Sequence, residues 1–347
     1  MNTAPRNSAA LAVLTVIGLF TSTMTNAQVE QDYTGVRLQV DNDLFAGGER
    51  DRDYTGGVAL TVSGAAARDS WLSLDPLLER VDGAVADVAY DQVHHARQIG
   101  LMAFTPQDIT TSEPLQDDRP YASLLFVSNG RVRVDANNRT AWSSSLTVGF
   151  LGLTLSEHLQ SAIHDVVGSE KPEGYEHQIA ADGEPTARYS LARHSLWIAN
   201  PNGTLDVKTT VQGSVGYLTE TSAAVSMRIG RFSTPWWSFT PELTDYIAAP
   251  TPAVSNRGRP EMYFFVGARV KARAYNAFLQ GQFRDSVVEY SYSELEPVLA
   301  EAWMGFVTQL MNQTQISYSI NYQTAEIRDG AAARDALWGA VQLTHTF

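Results

Sequence analysis

The sequence predicts an all-β fold, a twelve-stranded antiparallel transmembrane β-barrel with a short helix in an extracellular loop. Three observations predict it. Apolar and polar residues alternate with period two along much of the chain, as in Val36-Arg37-Leu38-Gln39-Val40-Asp41 and Ser145-Leu146-Thr147-Val148. Twelve such stretches stand near residues 35–45, 54–64, 93–104, 119–134, 140–152, 186–199, 204–217, 222–232, 261–274, 301–312, 314–326 and 336–347, an even number, as is usual for bacterial single-chain barrels. Beyond residue 27, no apolar run is long enough for a helix to cross a bilayer.

The chain opens with a targeting segment. Arg6 precedes an apolar run over residues 11–20, and Thr25-Asn26-Ala27 has the small-residue character of a cleavage site. Ten apolar residues fall short of the ~20 that a spanning helix needs, so residues 1–27 are expected to be a signal peptide and residues 28–347 the barrel. The exported chain has no cysteine, so its stability cannot come from disulfides. A closed barrel pairs every backbone group between strands and meets that need. The net charge of −13 argues against a nucleic-acid surface, which needs a basic field.

One stretch breaks the strand pattern. Over residues 155–168, Leu159, Ile163, Val166 and Val167 keep helical spacing, Ser156 is a candidate N-cap and Gly168 a stop. The connections over 65–92 and 233–259 are long, the second rich in proline and aromatic residues, and the sequence alone assigns them no role. The last strand, Trp338 to Phe347, alternates and ends on an aromatic residue, similar to the closing strand of outer-membrane barrels.

With both termini in the periplasm, odd strands end at the cell exterior and even strands begin there. Asn42 and Asp43 then close strand 1, Thr55 opens strand 2, Arg119 opens strand 4, and the helix with His164 follows strand 5. All fall at one rim. Each also has a bland reading. Asn42 and Asp43 suit a turn before Gly47-Gly48, and His164 beside Ile163 suits a structural histidine. Gln160 and His164 share a helix face at i, i+4, Glu170 suits a solvated carboxylate, and Asp117-Asp118-Arg119 suits a surface ion pair.

Four blocks together resemble the outer-membrane lipid A 3'-O-deacylases. They are Val40-Asp41-Asn42-Asp43-Leu44-Phe45, then Asp53-Tyr54-Thr55-Gly56-Gly57, then Phe104-Thr105-Pro106 with Asp118-Arg119-Pro120-Tyr121-Ala122, and the helix-loop run from Gln160 through His164, Gly168 and Glu170 to Tyr175, Gln178 and Ile179. The resemblance implies a calcium-dependent hydrolase that removes the ester-linked 3' acyloxyacyl group of lipid A. His164 matches the family's catalytic histidine, Asn42 and Asp43 its Asn-Asp pair, and Thr55 its hydroxyl residue. Gln160 and Glu170 match its helix glutamine and following acid. The loop between strands 1 and 2 is short, with nine residues between Leu44 and Tyr54, a departure that bears on which lipid fits.

Ester hydrolysis needs an activated nucleophile and a stabiliser for the oxyanion. A thiol is excluded, and no G-x-S-x-G elbow is present. The expectation is that His164 acts as general base on water and Ca²⁺ polarises the carbonyl. Asp43 and Glu170 would be metal ligands, Gln160 would orient the ring, Thr55 would bond the reacting centre, and Arg119 would meet a lipid A phosphate. A phospholipase or other lipid esterase, and a non-enzymatic porin or structural barrel, stay open as alternatives.

Overall fold

The computed structural model describes residues 30–47, 53–86, 88–153, 173–256, 259–311 and 313–347. Its strands are β1 (Gly35–Asn42), β2 (Asp53–Ser63), β3 (Gln92–Thr105), β4 (Ala122–Val134), β5 (Thr140–Leu151), β6 (Glu184–Ala199), β7 (Leu205–Gly216), β8 (Leu218–Arg231), the two-residue β9 (Thr244–Asp245) and β10 (Ile247–Ala248), β11 (Met262–Asn276), β12 (Val298–Met311), β13 (Thr314–Gln323) and β14 (Ala336–Thr346). All but β9 and β10 form one closed antiparallel barrel of twelve strands. Each of the twelve expected stretches is one of these strands; the largest displacement is at β8, which starts at Leu218 rather than near 222. Closure falls between β1 and β14, from Gly35 opposite Thr346 to Asn42 opposite Gly339. The aromatic-ended last strand, paired with β1, therefore leaves the barrel sheet no open edge.

Residues 232–256 fold back into the lumen as a plug. Trp237 stacks on His94 at 4.4 Å, and the Ala248 carbonyl accepts a bond from Gln98 Nε2 at 3.0 Å. Buried charges here are paired, as low dielectric demands. Glu242 meets Lys208 at 2.9 Å and His194 at 3.1 Å, while Asp245 meets Arg188 at 2.5 Å and Arg269 at 2.8 Å. At the plug's tip Tyr246 sits at φ +69°, with its ring 4.7 Å from Phe104 and 5.3 Å from Tyr54.

The 64–91 connection takes the opposite side of the wall. A Cβ on Gly130 would strike the plug carbonyl of Pro250, and Val132 and Val134 cluster with the plug residues Trp236 and Trp237. By strand alternation Asn129, Arg131 and Arg133 point outward. These outward residues meet the helices Ala65–Asp69 and Asp75–Val85: Asn129 Nδ2 donates to the Ala67 carbonyl at 3.1 Å, and Asp82 lies 3.5 Å from Arg133. The helix expected over 155–168 lies outside the described residues.

Candidate functional site

At the end of β1 the alternation splits two neighbours across the wall. Asp41 points inward and accepts bonds from Gln39 Nε2 at 2.8 and 2.9 Å and from the Tyr54 hydroxyl at 3.2 Å. Asn42 points outward. Its Nδ2 donates to the Thr55 carbonyl at 2.9 Å and its Oδ1 accepts from the Leu44 amide at 2.8 Å. Asn42 thereby caps a 3-10 turn, Asp43–Ala46, which Gly47 ends at φ +84°. The turn-former reading of Asn42 and Asp43 is thus correct as local structure. It also buries Asp43 (4 % exposed) in a turn that folds over the outer side of the wall. There Phe45 packs over Gly339, and its carbonyl accepts a 2.6 Å bond from the outward Tyr318 hydroxyl.

Thr55 owes its position to a bulge. On β2, Tyr54 pairs with Phe104 and Gly56 with Ala103, so Thr55 is the extra residue with no partner across on β3. Gly56 makes the close approach to β1 feasible: a Cβ there would lie 2.3 Å from the Asp41 carbonyl. The Thr55 hydroxyl then reaches Thr105 Oγ1 at 2.6 Å, and both residues are buried. Thr105 stands in the Phe104-Thr105-Pro106 block with no role assigned from sequence; its place at the outward end of β3, just before Pro106, is the signal that marks it.

The segment that carries Gln160, His164 and Glu170 falls within residues 154–172, outside the described residues. Its two flanks are described, and they meet. Ser123 Oγ on β4 lies 3.0 Å from Gln178 Oε1 and 3.5 Å from the Leu153 carbonyl. Ser123 pairs with Ala103, two residues before Thr105. Tyr175, whose ring centroid is 4.7 Å from that of Tyr121, and the Ile179 amide, donating to the Tyr121 carbonyl at 2.8 Å, hold the returning chain at the same rim.

The sequence profile of the family described as "Outer membrane protein LpxR" matches residues 11–347. The chain belongs to the LpxR family. No curated protein sequence is similar to it. Among solved structures, LpxR from Salmonella typhimurium aligns with TM-score 0.69 at 16% identity, covering 90% of this chain and 100% of that one. At that identity the likeness shows the shared fold. The translocator domain of the autotransporter NalP from Neisseria meningitidis aligns with TM-score 0.42 and 9% identity, covering 98% of this chain and 97% of its own. The LpxR match and the closed barrel place the protein in the outer membrane.

Within this LpxR-family barrel, Arg119 stands apart from the outer-wall group. Its guanidinium turns into the lumen mouth, 2.7 Å from Glu326 and 4.7 Å over the Phe104 ring. Burial opposes its charge, but the facing Glu326 outweighs that and raises its pKa. Glu326 also meets Arg273 and accepts a 2.5 Å bond from the Tyr246 hydroxyl. Arg334 bridges Asp53 at 2.8 Å and Asp118 at 2.7 Å beside them. Arg119 belongs to this lid of ion pairs over the plug; the structure does not bring it together with Asn42, Asp43 and Thr55.

Among the described residues no group of three or more His, Cys, Asp or Glu could hold a metal ion. Of the two expected carboxylate ligands, Asp43 is described and Glu170 is not. What Asp43 brings is a hard oxygen donor, shielded from water, on a turn with exposed neighbours Leu44 and Phe45. That donor chemistry suits Ca²⁺ rather than a soft ion.

Proposed function

We propose that this LpxR-family barrel is a lipid A 3'-O-deacylase that hydrolyses the ester of the 3' acyloxyacyl group from within the outer leaflet. The observation that carries the reading is the outward placement of Asn42, Thr55 and Thr105, with Asp43 buried in the adjoining turn and both flanks of the His164 segment tied at neighbouring Ser123. A group on the outside of the wall at the extracellular rim meets a membrane lipid laterally, near the boundary where sugar gives way to acyl chain. An open porin would need the lumen that residues 232–256 occupy.

In this mechanism His164 takes a proton from water as the water oxygen attacks the acyl carbonyl carbon. The tetrahedral intermediate collapses, the ester C–O bond breaks, and His164 returns the proton to the departing sugar oxygen. The products are the acyloxyacyl acid and a free 3' hydroxyl. Gln160 holds the imidazole in orientation. The Thr55 hydroxyl, itself fixed by Thr105, supplies a hydrogen bond at the reacting centre, and Asn42 fixes the β1–β2 junction that carries it. Asp43 and Glu170 would hold Ca²⁺, which when bound supplies Lewis-acid polarisation of the carbonyl. Arg119 is left with a role in the lumen mouth rather than at a lipid phosphate.

The test is the lipid A mass profile of cells that make the protein, with and without chelation of divalent ions. Loss of one acyloxyacyl group from the 3' position, abolished by chelation and restored by Ca²⁺, is expected. An unchanged lipid A profile beside altered phospholipids would move the activity to a phospholipase, and loss that persists under chelation would remove the metal.

A further inference from the structure

The outer wall of this barrel carries charge where a lipid-facing wall should not. Outward-pointing Arg131 lies 3.8 Å from Asp75, 3.8 Å from Asp82 and 3.5 Å from Glu79, and Arg133 lies 3.5 Å from Asp82. On the same face His95 Nδ1 is 2.5 Å from Glu30, and Arg97 bonds the Ser70 hydroxyl. Asp82 also accepts bonds from Ser144 Oγ at 2.7 Å and the Tyr189 hydroxyl at 2.9 Å. Cationic side chains on the lipid face of a barrel are costly, and here Arg97, Arg131 and Arg133 each meet a residue of the segment 64–86. The cover sits at the end of the wall that holds both chain termini, since β2 ends and β3 begins there.

Whatever covers a lipid-facing patch must itself face lipid. Helix Asp75–Val85 has three flanks. Asp75, Leu78 and Asp82 are buried against the wall. On one side of that contact Leu77, Val81 and Ala84 fall together at helical spacing; on the other fall Glu79 and Gly83. The segment before it exposes Trp71 at 90 % and Leu72 at 46 %, and Leu77 is 50 % exposed. They sit beside exposed apolar wall: Ser70, next to Trp71, is bonded by Arg97, two residues along β3 from the outward and exposed Ile99. Tryptophan at the edge of an apolar band is the usual interfacial anchor.

We infer that residues 65–86 form an in-plane anchor that seats in the periplasmic phospholipid leaflet, with Trp71, Leu72 and Leu77 inserted and Asp75 and Asp82 neutralising the arginines of the wall behind it. The anchor fixes the depth and tilt of the barrel from the leaflet opposite the candidate site, and it stands whether or not that site deacylates lipid A.

The absence of cysteine makes the test direct. Single Trp71→Cys, Leu72→Cys, Leu77→Cys and Gly83→Cys variants are spin-labelled in the full chain and reconstituted into phosphatidylethanolamine–phosphatidylglycerol vesicles. Retained heat-modifiable mobility on gels certifies the fold, and Leu72→Cys stands in for Trp71→Cys should that variant not fold. Labels at 71, 72 and 77 should collide with dissolved oxygen more than with a water-soluble nickel chelate, and the label at 83 should show the reverse. Preferential nickel collisions at 71, 72 and 77 would overturn the inference. So would dipolar broadening between labels at 77, which would assign the face to a second copy of the chain.

Discussion

The hydroxyls of Thr55 and Thr105 stand 2.6 Å apart on the outer face of the wall, one on a bulge of β2 and the other at the end of β3. Neither strand alternation nor the ladder would bring them together without the extra residue. Thr105 Oγ1 takes one hydrogen bond of Thr55 Oγ1 and fixes the direction of those it can still make, which under the proposed mechanism point to substrate. Thr55→Val should lower kcat on lipid A by about 10²-fold, the order seen when one polar stabiliser of an oxyanion is removed. Thr105→Val should cost roughly tenfold, consistent with misorientation rather than loss of the donor, and Thr105→Ser should recover it. Deacylation rates by mass spectrometry, with folding checked on gels, decide this; an unaffected Thr55→Val would remove the hydroxyl from the chemistry.

Three inward residues each precede an outward site residue: Asp41 before Asn42, Tyr54 before Thr55 and Phe104 before Thr105. Tyr54 bonds Asp41, and Tyr246 at the plug tip packs on both Tyr54 and Phe104. The plug therefore buttresses the site from behind the wall. Tyr246→Ala should cost ~3–5 kcal/mol of stability through the cavity it leaves and up to about 10²-fold in kcat through sub-ångström displacement of the threonines, with KM little changed. Tyr246→Phe keeps the ring stack and should retain most activity. Equal losses in both variants would mean that the hydroxyl bond to Glu326, not the buttress, is what matters.

Glu326 links that buttress to the lumen mouth. Burial alone would raise its carboxyl, but the facing Arg119 and Arg273 hold it down to about 2. A depressed carboxylate contributes stability that is complete above its ordinary value of 4.5 and is lost as pH falls through its folded value of about 2. The shift corresponds to on the order of 3 kcal/mol. Wild-type barrel in detergent should therefore lose stability between about pH 4.5 and 2, and Glu326→Gln should flatten that part of the curve. At neutral pH Glu326→Gln should cost on the order of 3 kcal/mol, because buried arginines lose a partner. Unfolding followed by circular dichroism across pH tests both signs.

Gly56 and Gly47 flank the same turn with different demands. A Cβ at Gly56 would lie 2.3 Å from the Asp41 carbonyl, whereas one at Gly47 would meet nothing within 4 Å. Gly47→Ala then costs only the left-handed backbone preference, about 1 kcal/mol. Gly56→Ala forces β1 and β2 apart at the bulge and should exceed ~3 kcal/mol, with loss of the Asn42–Thr55 bond and of activity. Comparable melting of the two variants would contradict the close-approach account.

The strands were legible because a wall with lipid outside and polar lumen inside writes its two faces into alternate residues. Val36 to Asp41 could be read directly, and so could the aromatic close at Phe347. Asn42, Asp43 and Thr55 were legible as rim residues because rim position follows from strand order. Arg119 was legible as a rim residue, but its ion pair was not, because a residue just outside a strand can turn either way. Its direction is set by Glu326, 207 positions later in the chain. Thr105 was unassigned because its partner depends on a one-residue bulge that leaves no mark in the period-two pattern. The two long connections were opaque for a related reason. Their partners, His94 and Arg131 among them, differ only in which face of β3 and β4 they occupy.

The central claim is that the segment with His164 completes an ester-hydrolysing site on the outer wall. Its most direct test compares lipid A from cells that make wild-type protein and His164→Asn, matched for folded barrel in the outer membrane. The account predicts lipid A lacking its 3' acyloxyacyl group in the first and intact lipid A in the second. Equal removal of that group by His164→Asn would contradict it.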